Sequence, residues 1–300
     1  LLRELVRRHG GVETKYGNLA VRSDPTSRAA HVTKNSIDDP FGEEELKLLR
    51  KCEECLSKCR ILSHDFIVGD ETSDRVARLT VPEEFAQIMY GAKRLLLPCD
   101  GVDTPKYEVI FFFDEEFERN KQRGYREKDI TIRIAFLPDE RVIKIVRNSN
   151  YFGEFKKGVF AAEDWYHKQK GGIFLHAGCR KDYLQCVDGE YREVVTLIAA
   201  LSGNGKTSLT CKIIARKEGE ESWLIQDDGG VLMPDGSFHG FEKGGVYVKT
   251  EGLNPLEQRE IYYGVLKPDS YVENVYVTED GRFDFYNYEI TSNGRAVVPR

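Results

Sequence analysis

Ser202-Gly203-Asn204-Gly205-Lys206-Thr207-Ser208-Leu209 decides how this chain is read. It follows the apolar run Val194-Val195-Thr196-Leu197-Ile198-Ala199-Ala200-Leu201 and precedes a segment of helical character. Strand, glycine-rich turn, Lys-Thr and helix in that order make a phosphate-binding loop. Glycine lets the backbone turn tightly and aim its N–H groups inward at an anion. The spacing puts Lys206 at the terminal phosphates of a nucleotide and the Thr207 hydroxyl on a divalent cation. The strict pattern asks for glycine at position 200, where this chain has alanine. The competing reading is a glycine turn with an exposed lysine, and the ordered strand, loop and hydroxyl argue against it.

About one helix-length later, Trp223-Leu224-Ile225-Gln226-Asp227-Asp228 reads as a short apolar strand ending in two acids. A strand-end aspartate beside a phosphate loop is where a nucleotide's metal is held. Hard oxygen ligands suit Mg²⁺ or Mn²⁺. Taken alone, Asp-Asp-Gly-Gly is also an ordinary solvated turn.

The chain of 300 residues is long enough for one large domain or two. Its formal charge of −6 argues against general nucleic-acid affinity, which needs a basic face. No apolar run approaches membrane-spanning length. The charged start Leu1-Leu2-Arg3-Glu4-Leu5 does not read as a signal peptide. The seven cysteines therefore read as reduced thiols in a cytoplasmic setting. Cys52, Cys55 and Cys59 fall on one face of a helical segment with no obvious fourth ligand, so core packing is expected there rather than zinc.

Alternating strand and helix patterns make this an α/β chain. Helices are expected over 1–9, 43–60, 82–97, 155–167 and 255–263. Strands are expected over 61–68, 75–80, 107–113, 130–136, 141–146, 246–249, 272–278 and 282–285. A buried strand is expected over 173–176, and an exposed charged loop over 114–129. A domain boundary is expected between Asp188 and Val195, giving a substrate-side domain over 1–190 and a nucleotide- and metal-binding domain over 191–300. His9, His31, His64, His167 and His239 show no ligand spacing.

An ordered set of segments resembles the ATP-dependent phosphoenolpyruvate carboxykinases. These are Tyr151-Phe152-Gly153-Glu154-Phe155-Lys156-Lys157, Leu175-His176, Leu201 to Thr207, Ile225-Gln226-Asp227-Asp228, and Phe241-Glu242-Lys243-Gly244-Gly245 running on to Thr250. Glu260-Ile261-Tyr262, Val272-Glu273-Asn274-Val275 and Thr291-Ser292-Asn293-Gly294-Arg295 continue it, so roughly 130–300 is covered. Before that, Ala20-Val21-Arg22-Ser23 is similar to the family's substrate loop. The resemblance implies a two-domain α/β fold with a phosphate-loop mononucleotide-binding domain. It also implies conversion of oxaloacetate and ATP into phosphoenolpyruvate, CO₂ and ADP with Mn²⁺ and Mg²⁺. By the same resemblance Lys157, His176 and Asp228 would hold the transition metal, and Thr207 the second metal. Nucleotide contacts would run through Ser202, Gly203, Asn204, Gly205, Lys206, Thr207 and Ser208, with Asp227 and Glu242. Arg22 and Tyr151 would seat the acceptor, and Arg295 would neutralise the phosphoryl group in flight. A lysine ligates a metal only as the neutral amine, which a neighbouring dication favours.

The chain departs from the family pattern at the acceptor. The loop after Arg22 reads Ser23-Asp24-Pro25-Thr26-Ser27-Arg28, His176 is followed by Ala177-Gly178, and Asp228 by Gly229-Gly230-Val231-Leu232. Family members are longer, so the chain is expected to be a fragment or a shortened relative, incomplete at its C-terminal end. Two further readings stay open. One is a kinase of the same fold acting on another small acceptor. The other is a non-catalytic nucleotide-binding module. Expected partners are small molecules, with no nucleic acid and no membrane, and the oligomeric state is left open.

Overall fold

The computed structural model describes residues 1–25, 29–124, 129–200 and 204–300. Its largest sheet has seven mixed strands. Their order is Thr33–Asn35, Thr131–Phe136, Val142–Arg147, Tyr107–Phe112, Val76–Pro82, Ile61–Ile67 and Leu97–Cys99. The central strands are β-branched and aromatic because both faces are covered. Phe66, Ala77, Leu79, Val109 and Phe111 are buried on the core side.

The helix Gly153–Lys168 packs on this sheet through Phe155, Val159 and Ala162, spaced as one helical face. Gly158 lies against Lys144 and Val109, where a methyl would stand 2.9 Å from Lys144 Cδ. Close approach of helix and sheet therefore requires glycine there. The helix Ala86–Leu95 joins the large sheet to a five-stranded one. That second sheet runs Val12–Glu13, Leu19–Val21, Tyr271–Glu273, Arg295–Pro299 and Gly245–Lys249. Its two faces serve two apolar clusters: Tyr247, Tyr271 and Val297 join the main core, while Val246, Val248, Val272 and Ala296 form a smaller one with Ile261.

Two small three-stranded sheets and a two-stranded one, Tyr276–Val277 with Phe283–Asp284, complete the sheets of the described residues. One three-stranded sheet sets Ala177–Gln185 between Tyr191–Ala199 and Glu221–Gln226, and the other sets Gly230–Leu232 between Ile173–Leu175 and Phe238–Gly240. The boundary expected between Asp188 and Val195 falls at a hairpin. Ala177–Gln185 pairs with Tyr191–Ala199 over nine residue pairs across it. The five-stranded sheet likewise draws strands from before and after residue 190. A cut in the chain there does not coincide with a division between sheets.

Most expected elements are present with shifted ends. The span 43–60 is a helix over Glu43–Leu56, and 255–263 becomes Arg259–Val265. The span 82–97 divides into a 3-10 turn over Glu83–Phe85, a helix over Ala86–Leu95 and the start of a strand at Leu97. Two expectations are corrected. The charged span 114–129 holds a helix, Glu115–Gln122, with the Asp114 carboxylate accepting from the Glu116 N–H as N-cap. Ile173–Leu175 is an outer strand of its sheet, and Ile173 is exposed. Cys52 is buried against Phe112 and Ile145, and Cys55 packs beside it.

Candidate functional site

Asp228 is the centre of the candidate site, and three elements distant in sequence reach it. It follows the strand Glu221–Gln226, whose partner Ala177–Gln185 is preceded directly by His176. His176 Nε2 stands 2.9 Å from Asp228 Oδ1. Lys156, from the helix Gly153–Lys168, donates to Asp228 Oδ2 at 2.8 Å and lies 3.0 Å from Glu242 Oε1. Lys206, first residue of the short helix Lys206–Thr210, donates to the Asp228 carbonyl at 3.0 Å and also meets Asp228 Oδ1. Gly205 before it has φ +79, a left-handed backbone that glycine takes without strain.

The neighbouring acid has different surroundings. Asp227 Oδ2 accepts from the Thr207 hydroxyl at 3.2 Å, while buried Oδ1 has no hydrogen-bond partner among the described residues. Glu242 is fully buried and accepts from Gln226 Nε2 at 2.7 Å. Gln226 Oε1 accepts the backbone N–H groups of Phe241 and Glu242, both at 3.0 Å, and so locks the acid's segment.

These differences separate the acids electrostatically. Burial alone would raise the Asp228 carboxyl, but Lys156, His176 and Lys206 outweigh it and hold Asp228 well below the carboxylate range. For Lys156, burial works against the charge, and Asp228 and Glu242 overcome it, so the ammonium is retained. Burial raises Asp227 to about 6, only partly opposed by Lys156. Glu242 is likewise raised by burial despite Lys156. Buried, hard and raised in pKa, the Asp227 carboxylate is a group that another cation would stabilise.

A cleft of about 510 Å³ opens beside Asp228 and is lined by Gly205, Lys206, Thr207, Ser208, Tyr247 and Arg295. Ser208 Oγ accepts from Gln258 Nε2 at 3.3 Å. The Arg295 guanidinium donates to Asn293 Oδ1 at 2.9 and 3.1 Å and lies 5.6 Å from the Tyr247 ring centroid. Lys156 meets the same ring at 5.2 Å. Tyr247 thus joins two cations from different elements.

Of the expected site residues, Lys206, Thr207, Ser208, Gly205, Asp228 and Arg295 line this one cleft, and His176, Asp227 and Glu242 adjoin it through the contacts above. Asn204 is exposed next to the cleft, and Ser202 and Gly203 lie outside the described residues. Lys157 donates to Glu154 Oε1 at 2.8 Å and stands over the Tyr151 ring at 5.8 Å. Tyr151 is buried, and its hydroxyl is 3.5 Å from Asn293 Nδ2. Arg22 is exposed and lines a different hollow of about 410 Å³, with Gln87 and Asn150.

Sequence reasoning missed Lys156 and Tyr247. The signal for Lys156 was available: Phe155, Val159, Ala162 and Tyr166 set the buried face of the helix, and Lys156 adjoins that face while Lys157 points outward. Nothing in the sequence singles out Tyr247.

The donor set fits two kinds of cation. Thr207 with Asp227 offers hard oxygens, and His176 with Asp228 offers an imidazole and a carboxylate. Among the described residues, no cluster of three or more His, Cys, Asp and Glu side chains has the geometry to hold a metal ion unaided. A cation here would therefore need other donors as well, such as the expected lysine and threonine.

Comparison with known proteins identifies the family. The family model for phosphoenolpyruvate carboxykinase matches residues 18–300. The chain is 38% identical over 311 residues to a phosphoenolpyruvate carboxykinase (ATP) of Aeropyrum pernix, covering 100% of this chain and 57% of that protein. It is 28% identical over 286 residues to one from Campylobacter jejuni, covering 93% of this chain and 49% of the relative. A phosphoenolpyruvate carboxykinase (ATP) 2 of Salinibacter ruber is 31% identical over 193 residues, 64% of this chain and 32% of the relative. The chain spans about half the length of the first two of these relatives.

Proposed function

The chain belongs to the phosphoenolpyruvate carboxykinase family, and from that premise we propose that its cleft converts oxaloacetate and ATP into phosphoenolpyruvate, CO₂ and ADP. One observation carries the proposal: Lys156, His176 and Lys206 reach one carboxylate, Asp228, at the edge of a cleft that Thr207 and Arg295 also line.

In this reading Asn204, Gly205, Lys206 and Ser208 form the described part of a phosphate loop, and Lys206 offsets charge on the terminal phosphates. Thr207 with Asp227 would hold Mg²⁺, and His176 with Asp228 and Lys157 would hold Mn²⁺, for which Lys157 would have to turn from its present partner Glu154. Bound there, the cations would neutralise phosphate charge and the oxyanion that develops when CO₂ leaves. Lys156 keeps Asp228 ionised, and so keeps it a ligand rather than an acid. Glu242 fixes Lys156. Arg295 faces the cleft with a charge preorganised by Asn293, suited to a phosphoryl group passing between two oxygens. Tyr151 and Arg22 would seat the oxaloacetate carboxylates, and Arg22 would have to turn from its present hollow to do so. The two-domain division at residue 190 belongs to this same reading.

The test is a coupled assay of phosphoenolpyruvate and CO₂ formed from oxaloacetate, ATP and Mn²⁺. Formation of both in equal amounts supports the proposal, and ATP consumption without either contradicts it. The hollow occupied by Arg22 favours one second reading, a kinase of the same fold with another small acceptor. Phosphoryl transfer indifferent to oxaloacetate would select it.

A further inference from the structure

We propose that Glu273 is a positioning residue of this site, tying together the segments that carry Arg22, Tyr151 and Arg295; the inference rests on the function proposed above. Glu273 ends the strand Tyr271–Glu273, opposite Val21 on one side and Arg295 on the other. Its side chain is completely buried and accepts four hydrogen bonds. These come from Ser23 Oγ at 2.6 Å, the Phe152 N–H at 3.1 Å, Tyr271 OH at 3.0 Å and Tyr247 OH at 3.3 Å. Ser23 follows Arg22, Phe152 follows Tyr151, and both Lys156 and Arg295 approach the Tyr247 ring. Asn274 reinforces the first tie, its Oδ1 accepting the Ser23 N–H at 2.9 Å.

A stability argument alone does not account for this carboxylate. Among the described residues no cation stands within ion-pair distance of it, and burying a carboxylate without one is unfavourable. A buried polar group that breaks the rule of paired charge while linking separate segments is characteristic of functional sites. The titratable groups facing it are Tyr247 and Tyr271, with Tyr151 beyond Tyr247. Ser23 and the Phe152 amide are neutral donors, and Arg295 meets the Tyr247 ring instead of the carboxylate. Burial pushes the Glu273 carboxyl up to about 7 against the pull of its four donors. Glutamine has the same shape, but its NH₂ group would face donors where an oxygen now accepts.

The experiment compares the wild-type chain with Glu273→Gln and Glu273→Asp in three measurements: amide hydrogen exchange, ATP affinity, and kcat and KM for oxaloacetate across pH 5–9. In Glu273→Gln, exchange is expected to quicken at least about tenfold over residues 22–24 and 150–153 and to stay unchanged over 205–208. ATP affinity is expected to hold within about threefold while kcat/KM for oxaloacetate falls at least about tenfold. Glu273→Asp should recover part of the loss. Unchanged exchange in those two segments overturns the proposal. So does a parallel loss of ATP binding and thermal stability, which would make the residue merely structural. A wild-type chain that forms no phosphoenolpyruvate removes the functional reading instead, and the exchange data then decide the tether by themselves.

Discussion

Lys206 and Asp228 show how much one side chain can carry. Lys206 is buried, and its amine is committed to the Asp227–Asp228 turn, so its charge is already in place for an arriving phosphate. Replacing it by methionine keeps the stem and removes the charge. Losing one preorganised donor to developing charge costs about 3 kcal/mol, or roughly a hundredfold. Lys206→Met is therefore expected to weaken ATP binding by calorimetry about a hundredfold with its circular dichroism unchanged. Affinity within threefold of wild type would contradict the phosphate role. Glu273 gives a second prediction, with a definite sign. Its folded pKa, about 7, lies above the ordinary 4.5. The stability it contributes is fully present below pH 4.5 and lost as pH rises through 7. Wild type should therefore lose about 3 kcal/mol relative to Glu273→Gln between pH 4.5 and 8, as read by urea unfolding. A constant difference would contradict the buried, raised carboxyl. At this scale the sequence was only partly legible. Lys206, Thr207, Asp227 and Asp228 announced themselves through local spacing. Lys156 had to be separated from Lys157 by helix phase, and Glu273 acquires its meaning only from partners about 25, 120 and 250 residues away.

Elements set the precision of the site. The strand Ala177–Gln185 carries Gly178 against Thr210, and a methyl at 178 would overlap the threonine side chain. Thr210 is buried and donates to the Lys206 carbonyl at 2.8 Å, so crowding at 178 pushes on the helix Lys206–Thr210 itself. Gly178→Ala is expected to reduce ATP affinity at least about tenfold, in line with the 1–3 kcal/mol that overpacking costs. Adding Thr210→Ala, which removes two of the three crowding atoms, should restore part of it in the same titration. Unaltered affinity in the single variant would contradict this coupling. Here the sequence reading was strongest where periodicity was strong. Gly153–Lys168 and Glu43–Leu56 were legible from their patterns. Glu115–Gln122 was not, because charges dominate it and Phe117 is its one fully apolar anchor, although Asp114 and three acids in the first turn are a start signal.

Over the whole molecule the exposed apolar side chains are unevenly spread. The strands Tyr191–Ala199 and Glu221–Gln226 leave Val195, Leu197, Trp223 and Ile225 exposed on one face of a sheet whose middle strand is largely buried. An apolar patch of this kind favours association. The chain is expected to self-associate with concentration in sedimentation, and Val195→Glu, set beside Lys181 in the ladder, should shift it toward monomer. Identical sedimentation of both proteins would contradict this. Among the described residues no helix is long and apolar enough to cross a membrane. The α/β class was legible from alternating patterns, but the sharing of one sheet by residues 12–21 and 245–299 was not, because long-range strand pairing leaves no local mark.

In the proposed function one cleft holds a triphosphate and its cations between Lys206 and Asp228. Crystals of the chain soaked with Mn²⁺ and ATP, mapped at the manganese absorption edge, test it most directly. An anomalous peak is expected within coordination distance of His176 Nε2 and the Asp228 carboxylate, with ATP phosphates in reach of Lys206. A peak bound elsewhere, with ATP density away from Lys206, would contradict it.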